Sequence, residues 1–209
     1  MRDDDLRVLI HDLRNRIAPI RNAAYLMRLR GGADAQLRDA AALIERQVEA
    51  MAGMLEAAMP AAPAAPSSGA PCVSGGPAPV DAVAETAAGP RSRRVLIADD
   101  SAAVCESLGA ILGDLGHEVR TVQDGQTAVE MAASWRPDFV LLDVNMPRLN
   151  GYEAARRLRS QFPSSQMRLV MISGADLEPS VLEAARQAGF DDCLDKLLDF
   201  GALRTLLEN

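Results

Sequence analysis

No run of roughly 18 apolar residues occurs anywhere in the chain, so the sequence predicts no transmembrane helix and no membrane insertion. The first residues, Met1-Arg-Asp-Asp-Asp5, lack a basic end followed by an apolar core, so they do not read as a secretory signal. Cysteine is sparse. Cys72, Cys105 and Cys193 are odd in number and scattered, form no metal-ligand spacing, and point to a reducing, cytoplasmic setting. Lysine is scarcer still: of 22 basic residues, 21 are Arg and one is Lys196. A lone lysine among arginines marks a place where a compact, flexible point charge is wanted in place of a planar fork. The rest of the composition, 48% hydrophobic and 24% charged, is that of an ordinary globular protein.

The net charge of −7 is uneven. Residues 1–58 hold nine basic and nine acidic side chains, residues 59–93 two of each, and residues 94–209 eleven basic against eighteen acidic. The excess therefore belongs wholly to the last segment. An acidic segment argues against nucleic acid as its direct partner, because phosphate backbones need basic surface.

The same three segments differ in pattern. In residues 1–58, Leu6, Ile10, Leu13, Ile17, Ile20, Ala24 and Met27 recur at alternating spacings of four and three. Leu37, Ala41, Ile44, Val48, Met51, Leu55 and Ala58 repeat the pattern. Each set forms one stripe on a helix. Arg30-Gly-Gly-Ala-Asp34 separates them, with Gly ending one helix and Asp34 placed to cap the next. The reading is an antiparallel helical hairpin, with Pro19 expected to kink or loosen the first helix. Two such helices bury little on their own, so a four-helix homodimer is expected. Residues 59–93, rich in Ala, Pro, Gly and Ser, read as a flexible linker.

From residue 94 onward, short apolar runs alternate with amphipathic helices. The runs are Val95–Ala98, Glu118–Val122, Phe139–Leu142, Leu169–Ile172 and Cys193-Leu194; the helices lie near 102–115, 125–134, 151–161, 178–188 and 199–207. Near-continuous apolar strands separated by helices predict an α/β, flavodoxin-like, doubly wound sheet of five parallel strands. In that fold the carboxyl ends of the strands form the site. The ends here carry Asp99-Asp100, Asp143, Ser173 and Lys196. Carboxylates packed together repel unless a cation neutralises them. Oxygen donors without His or Cys suit Mg²⁺, and a hydroxyl and an ammonium beside them can stabilise phosphoryl oxygens.

Residues 94–209 resemble the receiver domain of two-component response regulators over essentially its full length. The matching features are Asp99-Asp100, Asp143 followed by Met146-Pro147 and Gly151, Ser173-Gly174-Ala175, Ala188-Gly-Phe-Asp-Asp192, and Lys196. The resemblance implies that Asp143 accepts the phosphoryl group. It implies that Asp100, Asp143 and the Asn145 main-chain carbonyl hold Mg²⁺, with Asp99 assisting through water, and that Ser173 and Lys196 contact the phosphoryl oxygens. Two positions depart from the family pattern. Leu197 stands where Pro usually follows the lysine, and Cys193 stands where an aromatic usually reports the conformational change.

The first helix contains His11-Asp-Leu-Arg-Asn15. His11 follows a stripe residue and so flanks the buried seam, Asn15 lies one turn on, and Asp12 is adjacent. The segment from His11 to Asn22 is similar to the phosphoacceptor box of histidine-kinase dimerisation domains, with Arg16 where many members have Pro. That similarity implies that His11 carries phosphate, Asp12 acts as base and Asn15 orients a reactant. His117, the other histidine, opens the second strand and reads as structural or solvated.

No Gly-rich segment follows a helix in a way that cradles nucleotide, and the receiver-like segment runs to Asn209, so no attached output domain is expected. The expectation is therefore a phosphorelay protein without autonomous ATP-dependent kinase activity. A separate histidine kinase, phosphotransfer protein or small phosphodonor would supply the phosphoryl group. Two alternatives stand beside it: an adaptor whose hairpin only dimerises or docks on a partner kinase, and a kinase working with an ATP-binding domain on another chain.

Overall fold

Every apolar run from residue 94 onward becomes a strand in the computed structural model, which describes residues 3–32, 34–57, 92–174, 179–196 and 200–208. Of the expected linker, only residues 92–93 fall among these; Cys72 and Leu197 lie outside them, as do the side chains of Leu6, Ile10, His11 and Leu55. The elements are α1 (Asp3–Arg30), α2 (Ala35–Ala57), β1 (Arg94–Ala98), α3 (Ala102–Asp114), β2 (Glu118–Val122), α4 (Gly125–Trp135), β3 (Phe139–Asp143), α5 (Gly151–Gln161), β4 (Arg168–Ser173), α6 (Pro179–Ala188), β5 (Asp192–Asp195) and α7 (Phe200–Glu208). The strands are all parallel, in the order β2-β1-β3-β4-β5. This is the flavodoxin-like, doubly wound sheet of five parallel strands that the sequence predicts.

The two-residue period of a strand divides the sheet's side chains between two cores. Leu96, Ala98, Val140, Leu142, Leu169 and Met171 face one side and pack with residues of α4, α5 and α6. Val95, Ile97, Phe139, Leu141, Val170 and Ile172 face the other and pack with Val104, Leu108 and Ile111 of α3 and with Phe200, Leu203 and Leu207 of α7. Burial on both faces explains why β1, β3 and β4 read as continuous apolar runs, whereas the edge strands β2 and β5 keep charged residues.

α1 and α2 form a helical pair joined by a tight turn. Gly31 N donates to the Met27 carbonyl at 2.8 Å, Gly32 adopts φ +49°, and the Asp34 carboxylate accepts from Gln36 N at 3.0 Å and Leu37 N at 3.3 Å. Asp34 is thus the cap that its position predicts. α1 continues through Pro19, which does not end the helix.

The expected stripes need correction. Ile20 is 51% exposed and Met51 46% exposed, whereas Arg14, Ala18, Asn22 and Ala52 are buried. On α2 the cause is drift: a 3.6-residue helix slips against a strict 3.5-residue repeat, so Ala52 replaces Met51 in line with Ala41 and Val48. On α1 the cause is a second neighbour. Ala18 joins the core beneath α3 and α7, and Tyr25 and Leu26 pack at its edge. Among the described residues no helix is long and apolar enough to cross a membrane.

Candidate functional site

The order β2-β1-β3 reverses direction between β1 and β3, which opens a crevice at their carboxyl ends. Asp99 follows β1 at one wall and Asp143 ends β3 at the other. Ser173 ends β4, and Lys196 follows β5. Lys196 N donates to the Ser173 carbonyl at 2.7 Å, which ties the last two strand ends together and aims the lysine stem inward.

Asp99, Asp143, Ser173 and Lys196 are all buried; Asp100 and Asn145 are exposed. Lys196 Nζ lies 2.9 Å from Asp99 Oδ2 and 3.2 Å from Asp143 Oδ2. The Oδ1 atoms are held otherwise. Asp99 Oδ1 accepts from Ser101 N, and Asp143 Oδ1 accepts from Val144 N, both at 2.9 Å. Each carboxylate is thereby fixed by its own turn and presents one oxygen to the pocket. Both Oδ2 atoms depend on the one Lys196 ammonium for their compensation.

Carboxylate oxygens of Asp99, Asp100 and Asp143 lie within 4.8 Å of one another. Burial, opposed by Lys196 and assisted by the charges of Asp99 and Asp100, pushes Asp143 up to about 7. Burial raises Asp99 as well, again against the pull of Lys196. Three carboxylates facing one ammonium leave negative charge uncompensated. An all-oxygen cluster of three carboxylates sharing one ammonium fits a hard divalent cation such as Mg²⁺.

The loop beyond β3 is set by Gly151. Its N–H donates to the Val144 carbonyl at 2.9 Å, and a Cβ at this position would stand 2.3 Å from the Asp143 carbonyl oxygen. Only glycine lets α5 begin so close to the acidic residue.

The Response regulator receiver domain family model matches residues 95–208. This chain belongs to that family. Its receiver is 44% identical over 105 residues to the Response regulator MprA of Mycolicibacterium vanbaalenii, covering 49% of this chain and 43% of that relative. The MprA protein of Mycobacterium ulcerans is 44% identical over 107 residues, covering 50% and 44%. The chain thus spans less than half the length of these relatives. Among solved structures, the receiver is similar to the Vibrio cholerae chemotaxis protein CheY4, with a TM-score of 0.52 at 28% identity over 56% of this chain and 98% of that one. It is also similar to the receiver domain of the sensor histidine kinase PA1611 from Pseudomonas aeruginosa, with a TM-score of 0.51 at 30% identity over 56% and 96%; that structure has a magnesium ion in its active-site cleft.

Two residues that bear on the receiver's surroundings were not legible as such in the sequence. Cys105, buried behind Asp99, approaches the Asp99 carbonyl at 3.4 Å, and burial raises its thiol to about 11. Arg14 of α1 is 1% exposed, and its Nη1 donates to the Gly174 carbonyl beside Ser173. Nothing in a surface-type residue on a polar helix announces that contact. Of the expected hairpin residues, Asp12 is exposed and paired with Arg16 at 3.2 Å, and Asn15 is half-buried. His117 accepts from Arg93 N at 3.3 Å, and burial lowers its pKa, in keeping with a structural role. Cys193 is half-buried against the core on the α4–α6 side.

Proposed function

We propose that the chain is a cytoplasmic two-component phosphorelay protein, built as a hairpin over 1–58, a linker over 59–93 and a receiver over 94–209. Its receiver takes a phosphoryl group on Asp143. The observation that carries this reading is the placement of Lys196 Nζ between Asp99 and Asp143 at 2.9 and 3.2 Å in a buried crevice. An Asp143 carboxylate oxygen attacks phosphorus, the bond to the donor's leaving atom breaks, and the new acyl phosphate remains on the chain. Lys196 and the Ser173 hydroxyl receive the equatorial oxygens. Asp100, Asp143 and the Asn145 main-chain carbonyl would hold Mg²⁺, with Asp99 assisting, and the ion would neutralise charge on both reacting partners. Positioning and electrostatics do the remainder.

The phosphoryl group comes from a partner kinase, a phosphotransfer protein or a small phosphodonor. His11 is a phosphohistidine site in this reading, with Asp12 as base and Asn15 as orienting residue. Its support is that Arg14, nearly one turn along the same helix, reaches the Gly174 carbonyl at the rim of the pocket. The second reading is an adaptor whose hairpin only dimerises or docks. The exposed apolar side chains of Leu43, Met51 and Met54 on α2 favour it. Incubation with acetyl phosphate and Mg²⁺, followed by mapping of base-labile and acid-labile phosphate, tests both. Base-labile label lost in Asp143→Asn supports the receiver reading. Unchanged signalling by His11→Ala would remove the relay role and leave the adaptor.

A further inference from the structure

α1 lies against the receiver along one face. Arg14, Ala18, Asn22 and Tyr25 follow one another at spacings of four, four and three, which is a single helical line. Each meets the receiver differently. Arg14 Nη1 donates to the Gly174 carbonyl. Ala18, 1% exposed, sits in the core beneath α3 and α7. Asn22 Nδ2 donates to Ser107 Oγ of α3 at 2.8 Å. The Tyr25 ring stacks on Phe200 of α7 with centroids 4.1 Å apart. Beyond this line, Arg30 pairs with Asp114 at 2.6 and 3.0 Å. A small residue at the closest approach, a buried amide in a hydrogen bond and an aromatic pair make a specific seam.

One end of the seam is the phosphate pocket. Gly174 follows Ser173, the Ser173 carbonyl accepts from Lys196 N at 2.7 Å, and Lys196 Nζ contacts Asp143. Covalent and polar links therefore run from the hairpin to the acceptor carboxylate. The position that the family usually fills with an aromatic reporter is Cys193, which packs on the opposite side of the sheet.

We propose that the α3–α7 face is the surface through which Asp143 is read, and that its partner is the chain's own hairpin, which phosphorylation releases. The proposal rests on the reading of Asp143 as phosphoacceptor. Conversion of the Asp143 carboxylate to an acyl phosphate adds about one negative charge and three acceptor oxygens to the crevice. Ser173 and Lys196 turn toward them, and the Ser173-Gly174 segment moves with its side chain. The Gly174 carbonyl then withdraws from Arg14, whose guanidinium is too deeply buried to lose an acceptor cheaply. The coupling is reciprocal, so a docked hairpin opposes phosphorylation by the same factor that phosphorylation opposes docking.

The test uses the full chain with Cys72→Ser, Cys193→Ser, Asn22→Cys and Ser107→Cys, so that a disulfide can lock the seam. Acetyl phosphate with Mg²⁺ is the phosphodonor. The expected results are that the locked chain labels Asp143 about tenfold more slowly than the same chain after reduction, and that phosphorylation slows disulfide closure by a similar factor. Arg14→Ala, with the lock reduced, labels faster than its parent. Equal labelling of locked and reduced chains, with closure indifferent to phosphorylation, overturns the proposal while leaving the acceptor reading intact. Absence of any base-labile label, locked or reduced and in the unmodified chain too, overturns the acceptor reading and this proposal with it.

Discussion

Lys196 is the sole lysine of the chain and one of its most buried side chains, with its ammonium shared between two carboxylates. Its chemistry is that of a point charge on a flexible stem, which a planar guanidinium does not reproduce in a closed crevice. Lys196→Arg is expected to slow labelling of Asp143 by acetyl phosphate at least about tenfold, consistent with loss of a charge-stabilising donor. Lys196→Met leaves two buried carboxylates facing each other and is expected to cost about 3–5 kcal/mol at about pH 8 in denaturant melts without Mg²⁺. A stability equal to wild type would show that the ammonium does not compensate them. The raised pKa of Asp143 gives a second test. A carboxyl whose folded value, about 7, lies above its unfolded value stabilises the fold below the unfolded value and loses that contribution as pH rises through about 7. Without Mg²⁺, the melting temperature of wild type should therefore fall relative to Asp143→Asn between about pH 5 and about pH 8. Mg²⁺ at the upper pH should close the gap; parallel curves for the two proteins would contradict the assignment. These residues were legible in the sequence because each ends a recognisable apolar run. Arg14 was not, since its burial depends on a neighbour more than a hundred residues away.

The elements of the receiver were legible because each obeys one simple period. The three inner strands β1, β3 and β4 are almost wholly apolar, the helices carry caps such as Ser101, Asp124 and Asn150, and the observed ends fall within a residue or two of the expected ones. The hairpin's elements were legible too, but its buried faces were not. A two-helix stripe assumes one neighbour, and α1 has two, so Arg14, Ala18 and Asn22 are buried where the stripe names Ile20. At the start of α5 the controlling fact is backbone proximity. Gly151→Ala places a methyl 2.3 Å from the Asp143 carbonyl and is expected to cost roughly 1–3 kcal/mol by overpacking. Amide shifts of residues 143–151 should move with it. Unchanged stability and shifts would mean that this loop does not fix Asp143.

At the scale of the whole molecule, receiver and hairpin are joined by a seam as well as by the chain between them. The hairpin keeps Leu43, Met51 and Met54 exposed, an apolar surface that a second hairpin would cover in the four-helix dimer expected from the sequence. Light scattering should give a dimer for the full chain and a monomer for the Leu43→Gln, Met51→Gln, Met54→Gln variant, with Asp143 labelling intact in both. A monomeric parent chain would remove the dimer from the account. The central claim is the acceptor at Asp143, and phosphate mapping after incubation with acetyl phosphate and Mg²⁺ tests it most directly. The account predicts one base-labile phosphate on the receiver, located at Asp143 and abolished by Asp143→Asn. Base-labile label that persists at another residue in that variant, or none in the wild-type chain, would contradict it.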